Sequence, residues 1–181
     1  MRARTSKVSQ KGQSIAELPT AISVFILLLV MPLVDLSTIA LRATYIHSAA
    51  RNAAHYGSRA KTFLQNGDKG ELSVVNKAKQ MALATKQSGF AGVNFDASNV
   101  KVSIIGSPLK AKLPALRQDT PVKEPSQEDY LYQIEVTVAG KVEPLVRLSK
   151  DLFGSVPGLT EDMPVVATYS AFCEEAKGLS K

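Results

Sequence analysis

Glu17 stands five residues beyond Gly12, and directly after it the chain runs from Leu18 to Val34 without a charged residue. A carboxylate at the mouth of an apolar helix is costly unless a positive group neutralises it. The chemistry on offer is therefore ion pairing, at a fixed step from a glycine. Arg2, Arg4, Lys7 and Lys11 precede the pair, and no acid lies among residues 1–12.

Other reactive residues do not fall into working sets. His47 and His55 are eight apart, about 80° out of register on a helix of ~3.6 residues per turn, and do not make the i, i+4 pair a metal needs. Cys173 is the only cysteine, so the chain holds neither an internal disulfide nor a cysteine pair for zinc. Ser58-Arg59-Ala60-Lys61 matches Ser-x-x-Lys, but the companion motifs of that chemistry are missing. Gly12-Gln13-Ser14 follows no strand and is no nucleophile elbow. No glycine-rich phosphate loop is present. The expectation is a protein that is not an enzyme and carries no metal or cofactor.

The segment Lys11-Gly12-Gln13-Ser14-Ile15-Ala16-Glu17 with its apolar run resembles the prepilin signal of type IV pilin-like proteins. In that family a membrane aspartic peptidase cuts after the glycine, and the glutamate is the fifth residue of the mature chain. The resemblance implies a cut between Gly12 and Gln13 and an assembly role for Glu17. Ala53-Ala54-His55-Tyr56-Gly57-Ser58-Arg59-Ala60 is similar to the Ala-Ala-Arg-x-Gly-Ala-Arg block of TadE-like pseudopilins of the tight-adherence system. His55 stands where that block has Arg, and Ser58 where it has Ala. Asp35, past the apolar run, and an acid-ended last strand at Val165–Glu175 also fit that family. The likeness covers residues 7–65, and beyond them rests on element order. It implies as partners a prepilin peptidase, other pilins and pseudopilins, the pilus assembly machinery and membrane lipid. Major pilins of that system are much shorter, which implies a minor or priming role.

Charge sets the topology. The four basic residues of the leader account for four units of the +6 net charge. The basic balance is thus a topology signal and not a nucleic-acid footprint. Only Arg42 is basic in the stretch just past the span, so the N-terminus stays cytoplasmic and the remainder crosses. The expected place is the inner (cytoplasmic) membrane, single-pass, with an extracytoplasmic C-terminal domain. The 17 residues Leu18–Val34 span about 26 Å at ~1.5 Å per residue, the short end for a hydrocarbon core of ~30 Å.

The expected fold class is α+β and pilin-like. Residues 1–12 form a basic leader, 13–41 a transmembrane helix, and 42–181 an extracytoplasmic domain with a second helix and a small antiparallel sheet. The helix is expected to start near Gln13 or Ser14 and to bend at Pro32. Leu36, Ile39, Ala43, Ile46, Ala50, Ala53, Tyr56, Ala60 and Phe63 recur at steps of three or four, an amphipathic stripe that carries the helix beyond the membrane. Ala49, Ala53 and Gly57 lie four apart and permit close approach of a neighbouring element. Asn66–Gly70 is the expected stop. A second helix follows at Glu71–Ser88. Period-two alternation marks strands at residues 100–105, 130–138 and 165–173, with a short helix at Pro144–Phe153. Gly106–Asp129 holds four of the nine prolines and is expected to be an exposed, mobile loop.

Two alternatives stay open on sequence alone. One is a bitopic membrane protein with a periplasmic binding or structural domain unrelated to pili. The other is a secreted enzyme cut near Ala40, against which the lack of a catalytic set counts. The mature N-terminus separates all three.

Overall fold

The computed structural model describes residues 10–64, 71–87, 91–111 and 113–180, without the side chains of residues 10–17 and 152. The leader residues 1–9 and the expected stop at Asn66–Gly70 lie outside them. One helical rod opens the chain. It comprises α1 (Gln10–Phe25), a π-helical turn (Ile26–Val30) and α2 (Met31–Gly57). The rod begins at Gln10, ahead of the expected start. Pro32 has no N–H, and its ring crowds the carbonyl four residues back. The backbone accommodates this with wider turns just before the proline, where the Met31 N–H reaches the Ile26 carbonyl. Such local π adjustment is how membrane helices tolerate proline.

The rod ends at Gly57, two turns short of the expected Phe63. Ala60 and Phe63 are buried all the same, from an irregular segment. A second helix, α3 (Val74–Gln87), lies beside α2. It starts three residues later than expected because Ser73 caps it, its Oγ accepting the Asn76 N–H at 3.3 Å. Val74, Ala78 and Ala82 are its buried face.

Among the described residues, five antiparallel strands complete the domain: β1 (Val93–Asn94), β2 (Val100–Pro108), β3 (Leu116–Gln118), β4 (Tyr130–Val142) and β5 (Met163–Phe172). β4 is central. It pairs with β2 and the short β1 on one side and with β5 on the other, while β3 extends the sheet beyond β2. Opposite Ile134 stand Ile104 and Ala171; opposite Val136 stand Val102 and Tyr169; opposite Val138 stand Val100 and Ala167. Alternate residues thus form one apolar face, which α2 and α3 cover to make the core. The other face carries Lys101, Thr168 and Ser170, with Val166 and Phe172 exposed.

Two expected elements differ. Gly106–Asp129 is not structureless: Gly106–Pro108 continue β2, Leu116–Gln118 form β3, and the Val122 N–H donates to the Leu179 carbonyl at 2.9 Å. Of Pro144–Phe153 only α4 (Lys150–Phe153) is helical. The Val146 and Leu148 N–H groups are used instead by Asp35 and by the Leu159 carbonyl.

Candidate functional site

Gly12, Gln13 and Glu17 have helical backbone within α1; their side chains lie outside the described residues. From Leu18 onward the rod is bare. Leu27, Leu28 and Leu29 are each more than half exposed, and no residue of Ile26–Val30 is buried. Leu18–Gly57 is a helix of 40 residues, long and apolar enough to cross a membrane. Unpartnered aliphatic side chains over Leu18–Val34 are what a lipid environment accepts and water does not.

Where the rod meets the domain, one helix face holds a single stretch of chain. Asp35 is 1% exposed, and its Oδ1 accepts the Val146 N–H at 2.9 Å. Its Oδ2 has no hydrogen-bond partner among the described residues. One turn on, Ile39 Cδ1 lies 2.7 Å from where a Cβ on Gly158 would stand. Gly158 has φ +85°, a conformation in which only glycine is at ease. Two residues of one loop, Val146 and Gly158, thus seat on successive turns of α2. Arg42 follows, its Nη1 donating to the Glu143 carbonyl and its guanidinium filling the space beside Gly92. Ile46 comes next, close against Gly140.

The seam continues through small residues. Ala49, Ala53 and Gly57 are buried, and a Cβ on Gly57 would meet that of Ala78 on α3 at 3.4 Å. Their close approach is thus to the chain's own domain. Ile39, Ile46, Ala50, Ala53, Ala60 and Phe63 of the expected stripe are buried. Leu36 and Tyr56 are exposed, and Asp35 is buried in place of Leu36. The sequence signal for Asp35 was its position four residues before Ile39, on the same face; its partner, 111 residues on, left none.

Opposite the seam, Ser48, Arg51, Asn52, His55, Tyr56 and Arg59 line an open cleft of about 390 Å³. Arg51 lies over the Tyr169 ring at 5.9 Å, and His55 is tilted against it at 5.4 Å. Arg59 pairs with Glu174 at 3.3 Å. His47 is exposed on α2. Among the described residues, no three His, Cys, Asp or Glu side chains converge as a metal would need.

Cys173 is half-buried against the core, and burial pushes its thiol up from the ordinary value. Hydrogen bonds from Lys110 and then Ser126 hold the Asp129 carboxyl below the usual carboxylate range. Those from Ser155 and Lys150 do the same for Glu161. These two acids fasten loops.

No protein-family model, curated protein or solved structure matches this chain.

Proposed function

We propose that the chain is a minor pseudopilin of a tight-adherence (Flp-type) pilus or secretion system. A prepilin peptidase cuts it between Gly12 and Gln13, and the mature chain takes part in assembling or priming the filament. The observation that carries this reading is the Gly12–Glu17 step ahead of an uncharged run that continues, as one rod, into an α+β domain. Cleavage would create a cationic amine on Gln13 at the positive end of the helix dipole, where a carboxylate one turn along is favoured. In a filament, Glu17 would meet the amine of a neighbouring subunit. Each charge then neutralises the other where an unpaired one is expensive, and helices stack only at the register that joins them.

A second reading draws on the helical backbone across Gly12–Gln13. A carbonyl tied into a helix is less open to attack, which favours an uncut, bitopic anchored protein unrelated to pili.

N-terminal sequencing and intact mass of membrane-purified protein, produced with a prepilin peptidase, separate the two. Cleavage before Gln13 supports the pseudopilin, and an intact chain the anchor. Gly12→Asp is expected to leave the precursor uncut. Glu17→Ala is expected to be cut but to lose crosslinks to pilus subunits. Normal processing of Gly12→Asp overturns the reading. Normal assembly of Glu17→Ala removes the pairing mechanism and leaves the cleavage claim standing.

A further inference from the structure

The apolar run is short for a bilayer, yet exposed apolar surface does not stop where the run does. Leu36 and Leu41 lie past Asp35 and are 53% and 60% exposed. The hydroxyls between them are already satisfied. Ser37 donates to the Leu33 carbonyl at 2.8 Å and Thr38 to the Val34 carbonyl at 2.9 Å. Ser23, within the run, does the same to the Pro19 carbonyl at 2.8 Å. A hydroxyl in lipid must find its partner within the protein, and the same back-bonding recurs on both sides of Val34.

Asp35 is the obstacle to lipid at this level, and the loop from β4 to β5 covers it. That loop also brings exposed apolar side chains: Leu145 at 55%, Val146 at 39% and Val156 at 37%. The Asp35–Val146 and Ile39–Gly158 contacts fix both ends of this surface to the level of residues 35–39. Its cations are occupied, Arg147 by Asp162 at 2.7 Å and Lys150 by Glu161 at 3.3 Å.

We infer that the Leu145–Val156 loop rests in the water–lipid boundary, with Leu145, Val146 and Val156 in lipid contact, and that the lipid-facing side of the rod extends to Leu41. The proposal rests on the membrane-spanning reading of Leu18–Val34 and not on the pilus. From Leu18 to Leu41 the rod measures about 36 Å at ~1.5 Å per residue, enough for a ~30 Å hydrocarbon core. The loop shields Asp35, the only acid that the rod carries between Leu18 and Leu41. The contact is apolar, because the loop's cations are spent on its own acids.

The test uses the full chain with Cys173→Ala, reconstituted in phosphatidylcholine vesicles. Single nitroxide labels are placed through Leu27→Cys, Leu41→Cys, Leu145→Cys, Val156→Cys and Leu131→Cys. Leu131 is an exposed control on β4. Collision with oxygen and with a water-soluble nickel chelate reports depth. The expected result is a nickel accessibility at 41, 145 and 156 several-fold below that at 131, and lowest at 27. Labels at 145 and 156 that match 131, while 27 reads lipid, overturn the proposal and leave the anchor. A label at 27 that matches 131 overturns the anchor and the proposal together. Protection of 145 and 156 that requires phosphatidylglycerol overturns the apolar contact in favour of headgroup charge.

Discussion

The two halves of the rod obey opposite rules. Between Leu18 and Val34 most side chains are large, apolar and exposed; between Ala49 and Gly57 the buried ones are small. Both halves are helical and both present an apolar face. Side-chain size tells them apart. Large aliphatics without a partner fill their own surroundings and suit a fluid environment. Alanine and glycine leave room for another backbone, and α3 and the sheet take that room. A helix thus declares by residue volume where it expects protein beside it.

The sharpest way to break this contrast is a charge in the bare half. Leu28→Arg places a cation near the centre of the apolar run, at a cost of about 2.5–3.5 kcal/mol for insertion. The expected outcome is loss of protein from the alkali-resistant membrane fraction, with the circular dichroism of the domain unchanged. Retention in the membrane would erase the distinction between the halves.

Volume is the next test. Ala53→Leu overfills a fully buried position and should cost about 1–3 kcal/mol, read as a lower denaturation midpoint of the full chain in detergent. Ala40→Leu makes the same change at an exposed position and should leave the midpoint unmoved. Equal effects would show that size is not the rule.

Between the halves lies Asp35. Asp35→Leu leaves the Val146 N–H without its acceptor, a loss of about 1–3 kcal/mol where such a group is buried. Asp35→Asn keeps an acceptor and should cost less. Hydrogen exchange at Val146 is the measurement, with faster exchange expected in the leucine variant. Unchanged exchange in both would show that the loop is held by Ile39 and Arg42 alone.

The smallest effect is a response to acid, far from the rod. The folded-state values of Asp129 and Glu161 lie below the ordinary values of 3.8 and 4.5. Each therefore contributes stability above its ordinary value that is lost as pH falls through the lowered one. Both groups are solvent-facing, so the contribution is modest. Protease cutting within 109–129 and 143–162 should rise below about pH 4, ahead of loss of the sheet. Flat cleavage rates down to unfolding would show that neither ion pair fastens its loop.

Much of the sheet was legible because burial on one face writes a period of two. Val100, Val102 and Ile104 and then Ile134, Val136 and Val138 alternate as the register requires. β1 and β3 escaped notice because runs of two or three residues carry no period. The end of the rod was misplaced because Ala60 and Phe63 are buried without being helical; periodicity reports the facing of side chains and not the backbone beneath them. Within the rod, Asp35 was visible as a charge after an apolar run. Its function as an acceptor was not, since that depends on a backbone N–H more than a hundred residues away. Gly12 and Glu17 were conspicuous by type and spacing alone.

The π-helical turn at Ile26–Val30 has a rotational consequence. An α-helix advances about 100° per residue, and a π turn takes one residue more to close its hydrogen-bonded ring. The azimuth of Glu17 is therefore offset from the one an unbroken helix would give it relative to Asp35 and Ile39. Closing Ile26–Val30 to α-geometry with every residue kept would swing the domain about its anchor by up to about 100°, whereas deleting one residue there closes the turn with the bearing nearly unchanged. One residue's worth of backbone thus sets the compass bearing of the domain around its own apolar stem.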